Sequence, residues 1–299
     1  MQHIDKILAS YIKCPSSFWE GNERQASKSS ERICKLRSYY GLGEESLSKI
    51  IIAIAKERIN EELPTIYVSS FGSSGSHLLQ HVLVDSLGFI GLGEIYLPPK
   101  IERLLKDGED ATNKLFVESY HLLHSGPERI FAKKEIINTA HKAKLQGFSS
   151  NTATYSSAFL LRNPVDLVMS RTFRKGEYRN YLGKEGVSDK EYLKENLVKT
   201  KRFYDAALSY PYDQYFFYED LLSCDYEVSV SIAKFAKRFN SKDAIHEALK
   251  KAVSNGASNK YKGPDITIDD AYYSIAKSEL VSVLGEFHKI REEYRAMST

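Results

Sequence analysis

Two short segments carry residue types suited to chemistry. The first is Ser70-Phe71-Gly72-Ser73-Ser74-Gly75-Ser76-His77, where two glycines alternate with hydroxyls. It follows the β-branched and aromatic run Thr65-Ile66-Tyr67-Val68. It precedes Leu78, Leu79, Val82, Leu83 and Leu87, whose spacing predicts a helix ending at Gly88. A glycine-rich turn between a strand and a helix aims several backbone N–H groups at one point. The positive end of the helix dipole adds to them, so the point attracts phosphate or its analogues. Gly72 and Gly75 give the backbone freedom, and Ser73, Ser74 and Ser76 add hydroxyl donors. The nucleoside-triphosphate loop G-x-x-x-x-G-K-[ST] is a different pattern: this turn has neither its spacing nor its Lys. A tight turn of small residues with no ligand is the plain structural alternative.

The second segment is Phe159-Leu160-Leu161-Arg162-Asn163-Pro164-Val165-Asp166-Leu167-Val168-Met169-Ser170. An apolar strand ends at Arg162, Pro164 suits a first helical turn, and Ser170 follows two turns later. At the C-terminal edge of a sheet, a planar guanidinium grips an oxyanion with two donors, and a helix hydroxyl adds a third. The structural alternative is a salt bridge at Arg162 and a helix cap at Asn163.

Regular elements must hold these segments. Beyond the strand before Gly72, strands are expected at Phe89–Gly91, Arg129–Ala132, Ala158–Leu161 and Tyr215–Tyr218. Helices are expected around 111–124, 165–173, 190–208 and 228–239. This alternation implies an α/β fold with a mainly parallel central sheet flanked by helices. Leu47, Ile50, Ile51, Ile54 and Ile59 mark one helix in the polar first 62 residues. Leu280, Val283, Leu284, Phe287, Ile290 and Tyr294 mark another near the end. The expected organisation is one domain over 1–299: a helical N-terminal extension or cap (1–62), an α/β core (64–265) and a C-terminal helical segment (266–299). The charged stretch Arg174–Lys194 reads as a loop or lid.

Composition narrows the partners. Against 39 acidic residues stand 42 basic ones, a net charge of +3, unlike the strongly basic balance of a nucleic-acid-binding domain. Cys14, Cys34 and Cys224 lack ligand or disulfide spacing and read as reduced thiols; no metal site is expected. The first residues lack a signal-peptide pattern, and the longest apolar run, Ile50–Ala55, is too short for a bilayer. A soluble cytoplasmic protein without membrane partners is the expectation; oligomeric state is not encoded in a readable form.

The second segment, L-L-R-N-P-x-D-x-x-x-S, closely resembles the 3′-phosphate-binding motif of the sulfotransferases that use PAPS (3′-phosphoadenosine 5′-phosphosulfate), including the step from Arg162 to Ser170. Phe71–His77 stands where that family has its 5′-phosphosulfate loop, typically P-K-S-G-T-T-W. Tyr218-Glu219-Asp220-Leu221 resembles the family's Y-E-D-L element, and Lys260-Tyr261-Lys262-Gly263 is similar to its R-K-G element. The four features occur in the family's order across about residues 64–265. The resemblance implies a P-loop-like sulfotransferase fold and sulfuryl transfer from PAPS, leaving PAP, without a metal. It places Arg162, Ser170, Lys262 and Gly263 on the 3′-phosphate, Ser74, Gly75, Ser76 and His77 on the phosphosulfate, and Tyr218 near the nucleotide.

The chain also departs from the pattern. Ser73 stands where the family carries a loop Lys or Arg, and Leu78 where an aromatic often follows. His77, or a basic residue arriving from elsewhere such as Lys133, is the expected substitute cation. Arg129-Ile130-Phe131-Ala132-Lys133-Lys134-Glu135 aligns with the family's strand ending in K-x-H, which puts Glu135 at the position of the general base. Glu94, after the second strand, is the rival, with His124 and His141 behind it. Arg171, Arg174 and Lys175 either border the donor or lie on an exposed helix end. Trp19, Tyr39 and Tyr40 either line the acceptor or pack the extension. The implied acceptor is a small molecule with a hydroxyl, or else an amine or N-hydroxyl. A natural product such as a saxitoxin-like guanidinium toxin is one case, for which Glu20, Glu94 and Glu135 supply carboxylates. A non-catalytic PAPS- or PAP-binding protein and a P-loop kinase-like enzyme are the alternatives.

Overall fold

The computed structural model describes residues 2–63, 65–106, 110–139, 155–173, 179, 183–209, 214–256 and 268–298. It is an α/β structure whose five strands are ordered β2-β3-β1-β4-β5 in a parallel sheet flanked by helices. The strands are β1 (Thr65–Ser70), β2 (Ile90–Gly93), β3 (Ile136–Asn138), β4 (Tyr155–Leu161) and β5 (Gln214–Phe217). The chain divides into two compact units: Met1–Tyr67 with Gly88–Ser156, and Val68–Leu87 with Ser157–Thr299.

The first unit contains helices α1 (Gln2–Lys13), α2 (Glu23–Tyr40), α3 (Glu44–Asn60), α5 (Pro99–Lys106) and α6 (Asp110–His124). Residues 1–62 are not an appended cap. Leu8, Tyr11, Ile33, Leu36, Leu47 and Ile51 share one hydrophobic core with Ile90, Phe116, Tyr120 and Ile136. Inside this unit β3 pairs with β1 in the register Thr65↔Ile136 and with β2 in the register Ile90↔Ile136. The strand expected at Arg129–Ala132 is instead a 3₁₀ segment at Pro127–Arg129 followed by a turn, and the strand lies seven residues later. Pro127 sets that turn by removing a ladder donor and fixing φ.

The second unit contains α4 (Ser76–Leu87), α7 (Pro164–Thr172), α8 (Asp189–Ser209), α9 (Tyr218–Ser223), α10 (Tyr226–Phe235), α11 (Lys242–Ser254), α12 (Asp270–Glu279) and α13 (Val281–Ser298). β4 is buried on both faces, as interior parallel strands are: Ala158 to Leu161 are wholly inaccessible. β4 pairs with β5 from Ala158↔Gln214 to Leu161↔Phe217. Helix α4 packs on α11, and α7 on α8. Of the expected lid, residues 174–178 and 180–182 lie outside the described residues, and its last part is the start of α8.

Candidate anion-binding site

The second unit brings the two chemical segments together. After β1 the chain turns over Phe71–Ser74, closed by the Ser74 N–H donating to the Phe71 carbonyl at 2.9 Å. Ser73 sits at φ +87° in this turn, a conformation that L-residues adopt at a cost and that recurs at functional sites. Gly75, at φ +92°, then leads into α4, its carbonyl accepting from the Leu78 N–H at 2.9 Å.

Two arginines of α7 and the turn before it hold successive loop carbonyls. Arg162 Nη1 donates to the Ser73 carbonyl at 2.9 Å, and Arg171 Nη1 donates to the Gly72 carbonyl at 2.8 Å. In a trans peptide the N–H points opposite to the C=O, so these bonds fix the direction of the Ser73 and Ser74 N–H groups. The Ser74 N–H is spent in the turn. The Ser73 and Gly75 N–H groups have no hydrogen-bond partner among the described residues. Nor do the buried hydroxyls of Ser73 and Ser74, the latter residue only 1% exposed. A buried polar atom left unpaired costs about 1–3 kcal/mol, so this concentration of open donors is an unbalanced feature that an anion would balance.

Arg162 is positioned with care. Its guanidinium lies 4.7 Å from the centroid of the Tyr218 ring. The hydroxyl of buried Tyr204 donates to its carbonyl, and its N–H donates to that hydroxyl at 3.3 Å. Burial drives the Tyr204 pKa well up, so the hydroxyl keeps its proton for this bond. Asn163 next caps α7, its Oδ1 accepting from the N–H groups of Val165 (3.0 Å) and Asp166 (3.3 Å). The Asn163 N–H donates to Glu219 Oε1 at 2.8 Å. Asn163 thus plays the structural role open to it, whereas Arg162 has no carboxylate partner among the described residues. Its Nε and Nη2 have no hydrogen-bond partner there either.

The other expected contacts divide. Tyr218 packs its ring against Gly75 and begins α9; its neighbour Asp220 is paired with Arg291 (2.5 Å) and Arg295, which tie α13 to α9. Ser76 and Ser170 are buried, on the first turn of α4 and the last of α7. His77 is exposed on α4. Leu78 points into the core at 1% exposure with its N–H already spent, so it offers a ligand nothing. Lys262 and Gly263 lie outside the described residues, as do His141, Arg174 and Lys175. Arg171 is the residue whose role the sequence left open. It is buried at 6% exposure, stacked 4.0 Å over the Phe71 ring, with Asn196 Oδ1 3.5 Å from its Nε.

The acid–base candidates belong to the first unit. Lys133 and Glu135 precede β3 instead of following it, because the strand is displaced; Asn138 and Thr139 occupy its C-terminal end. Asn138 exchanges bonds with the Ile95 backbone (3.1 and 3.0 Å), and Thr139 donates to the Gly93 carbonyl through N–H and hydroxyl (2.8 and 3.0 Å). Exposed Lys133 is paired with Glu57 (2.9 Å) and Glu61 (2.5 Å), whose hydrogen bonds hold its pKa up. Glu94 lies just past the C-terminal end of β2, half-buried, accepting from the Tyr96 hydroxyl at 3.1 Å. His124 is fully buried, bonded to the Tyr11 hydroxyl (3.2 Å), and desolvation pushes its pKa down to about 3. Trp19 is buried, donating to Ser29 Oγ at 3.0 Å, and Tyr40 donates to the Pro127 carbonyl. Glu20 is ion-paired with Arg103. Tyr39 edges an open groove of about 600 Å³ with Cys34, Lys35 and Pro127.

Among the described residues no group of three or more His, Cys, Asp or Glu side chains is placed to hold a metal, and no helix is long and apolar enough to cross a membrane. Compared with protein families, curated proteins and solved structures, the chain matches none.

Proposed function

We propose that this chain is a sulfotransferase that takes its sulfuryl group from PAPS, with the loop Ser73–His77 and Arg162 as the core of the donor site and a P-loop-like sulfotransferase arrangement of the sheet. The observation that carries the reading is Arg162. One guanidinium nitrogen braces the loop through the Ser73 carbonyl, and Nε and Nη2 are left without a partner among the described residues. A donor with anionic groups at both its 3′ and 5′ positions suits a loop and an arginine fork side by side.

On this reading the open N–H groups of Ser73 and Gly75 and the hydroxyls of Ser73, Ser74 and Ser76 take the phosphosulfate end. Arg162 and Ser170 take the 3′-phosphate, with Lys262 and Gly263 joining them by resemblance. Tyr218 holds Arg162 in plane and packs the loop at Gly75. When bound, PAPS supplies the sulfuryl group and a phosphate leaving group in an in-line displacement. The acceptor's proton needs a base, for which Glu135 and Glu94 are the carboxylate candidates. The acceptor is a small molecule bearing a hydroxyl or amine.

A second reading is favoured by Ser73 itself: without a loop cation, the chain is a PAP-binding protein that does not transfer sulfate. A thermal-shift series with PAP, PAPS and ATP–Mg²⁺, followed by mass-spectrometric search for sulfated products in an acceptor panel, separates these. Stabilisation by PAP together with a sulfated product supports the transferase; stabilisation without product supports the binder. Stabilisation by ATP–Mg²⁺ alone would remove both.

A further inference from the structure

The proposed donor loop lacks a charged side chain at Ser73, and neither expected substitute is well placed to serve it: His77 is exposed on α4, and Lys133 is already paired with two glutamates. We propose that Arg171, reaching the loop from α7, supplies the fixed positive charge that this loop does not carry on its own chain. The inference rests on the donor-binding reading above.

Three observations place that charge. Arg171 Nη1 bonds the Gly72 carbonyl at 2.8 Å, the acceptor of the very peptide whose N–H belongs to Ser73. The guanidinium lies 4.0 Å over the Phe71 ring, and Phe71 is in turn stacked on Phe203 with centroids 5.2 Å apart, so its plane is fixed. At 6% exposure the guanidinium is largely removed from solvent, where its field is screened least. Arginine stays protonated under all working conditions, so the charge is permanent. Arg171 touches no ligand in this arrangement. It acts through the Gly72–Ser73 peptide, whose N–H it orients, and through its charge. Across that peptide it favours the negative charge that the 5′-phosphate gains as its bond to sulfur breaks, while the new S–O bond forms to the acceptor and the acceptor's proton passes to the base.

A unit charge about one peptide's width from an anion, at an effective dielectric of about 20, changes affinity by roughly tenfold to hundredfold. The test is calorimetric titration of the full chain with PAP at two salt concentrations, for the wild type, Arg171→Gln, Arg171→Lys, Ser73→Lys and the double variant Ser73→Lys/Arg171→Gln. The expected result is a ten- to hundredfold loss and a shallower salt dependence in R171Q, with most of the loss recovered in R171K and in the double variant. PAP affinity in R171Q within twofold of wild type overturns the inference alone; equal loss in R171Q and R171K with no recovery by S73K does the same, because it marks a purely structural arginine. If R171Q fails to fold, S73K decides. A gain below threefold fits a loop already supplied with charge, and a gain of tenfold or more contradicts it. Absence of PAP binding by the wild type instead overturns the donor-site reading on which the inference rests.

Discussion

Replacing Gly75 by alanine tests the packing that joins the loop to Arg162. A β-carbon at this position would stand 2.3 Å from Tyr218 Cδ2 and 2.6 Å from Cε2, where carbon atoms pack best about 3.5–4.0 Å apart. The ring must therefore retreat by about 1 Å, and it is held by the Arg162 guanidinium at 4.7 Å from its centroid. Two costs combine. Overpacking at such a contact costs about 1–3 kcal/mol. A side chain at φ +92° adds about 1–2 kcal/mol. The sum, about 2–5 kcal/mol, is a large part of the 5–15 kcal/mol that holds a typical domain together. Urea unfolding of G75A, Y218A and the double variant separates the costs. In the Y218A background the ring is gone, and G75A should cost only the backbone share of about 1–2 kcal/mol. An equal cost of G75A in both backgrounds, or a cost below about 0.5 kcal/mol in the wild type, would refute the close approach of the Tyr218 ring to Gly75.

Three further outcomes follow from the geometry. Desolvation holds His121 and His124 at pKa values of about 4 and about 3, below the ordinary 6.5, with Arg58 and Glu118 acting on His121 in opposite senses. The unfolded chain therefore binds more protons below pH 6.5, and stability falls as pH drops toward 4, by about 2 kcal/mol per histidine at pH 5; pH-dependent urea midpoints measure it, and H121Q should flatten the slope. Glu118→Ala leaves Arg58 without its carboxylate at 2.6 Å, both groups being about 3% exposed, and should cost about 3–5 kcal/mol by thermal or urea unfolding. If the chain transfers sulfate, Glu135→Gln or Glu94→Gln should lower transfer at least a hundredfold while PAP affinity holds, and the variant that does so identifies the base; a change below threefold in both removes both carboxylates from that role.

The parts legible in the sequence are those whose signal is local. Thr65–Leu87 announces itself because β-branched residues, two glycines and a leucine stripe succeed one another in order. β4 and α7 are equally plain, with a continuous apolar run, an Asn cap at Asn163 and Pro164 at the first helical position. Where the signal is weak or long-range, the reading slips. Ile130 and Phe131 look like strand residues, yet Pro127 makes a 3₁₀ turn there, and the real strand, Ile136–Asn138, is only three residues long. Helix α2 hides because its buried stripe, Ala26, Ser29, Ile33 and Leu36, is narrow and half of it is small or polar. The division into two units escapes detection because the boundary falls inside β1, and each unit is built from two separate stretches of chain. Arg162 stands out in the sequence, closing an apolar run just before Asn163 and Pro164; the grip of Arg171 on Gly72, 99 residues away in sequence, leaves no such local signal.

The central claim is that the Ser73–His77 loop and Arg162 bind a nucleotide with anionic groups at both its 3′ and 5′ positions. Calorimetric titration of the full chain with PAP, without magnesium, tests it most directly, with Arg162→Ala and adenosine 5′-monophosphate as controls. PAP should bind saturably and one-to-one, at least a hundredfold more weakly to R162A, and the monophosphate should bind much more weakly because its 3′ end offers Arg162 nothing. Equal affinity for PAP and the monophosphate, or unchanged PAP binding in R162A, would contradict it.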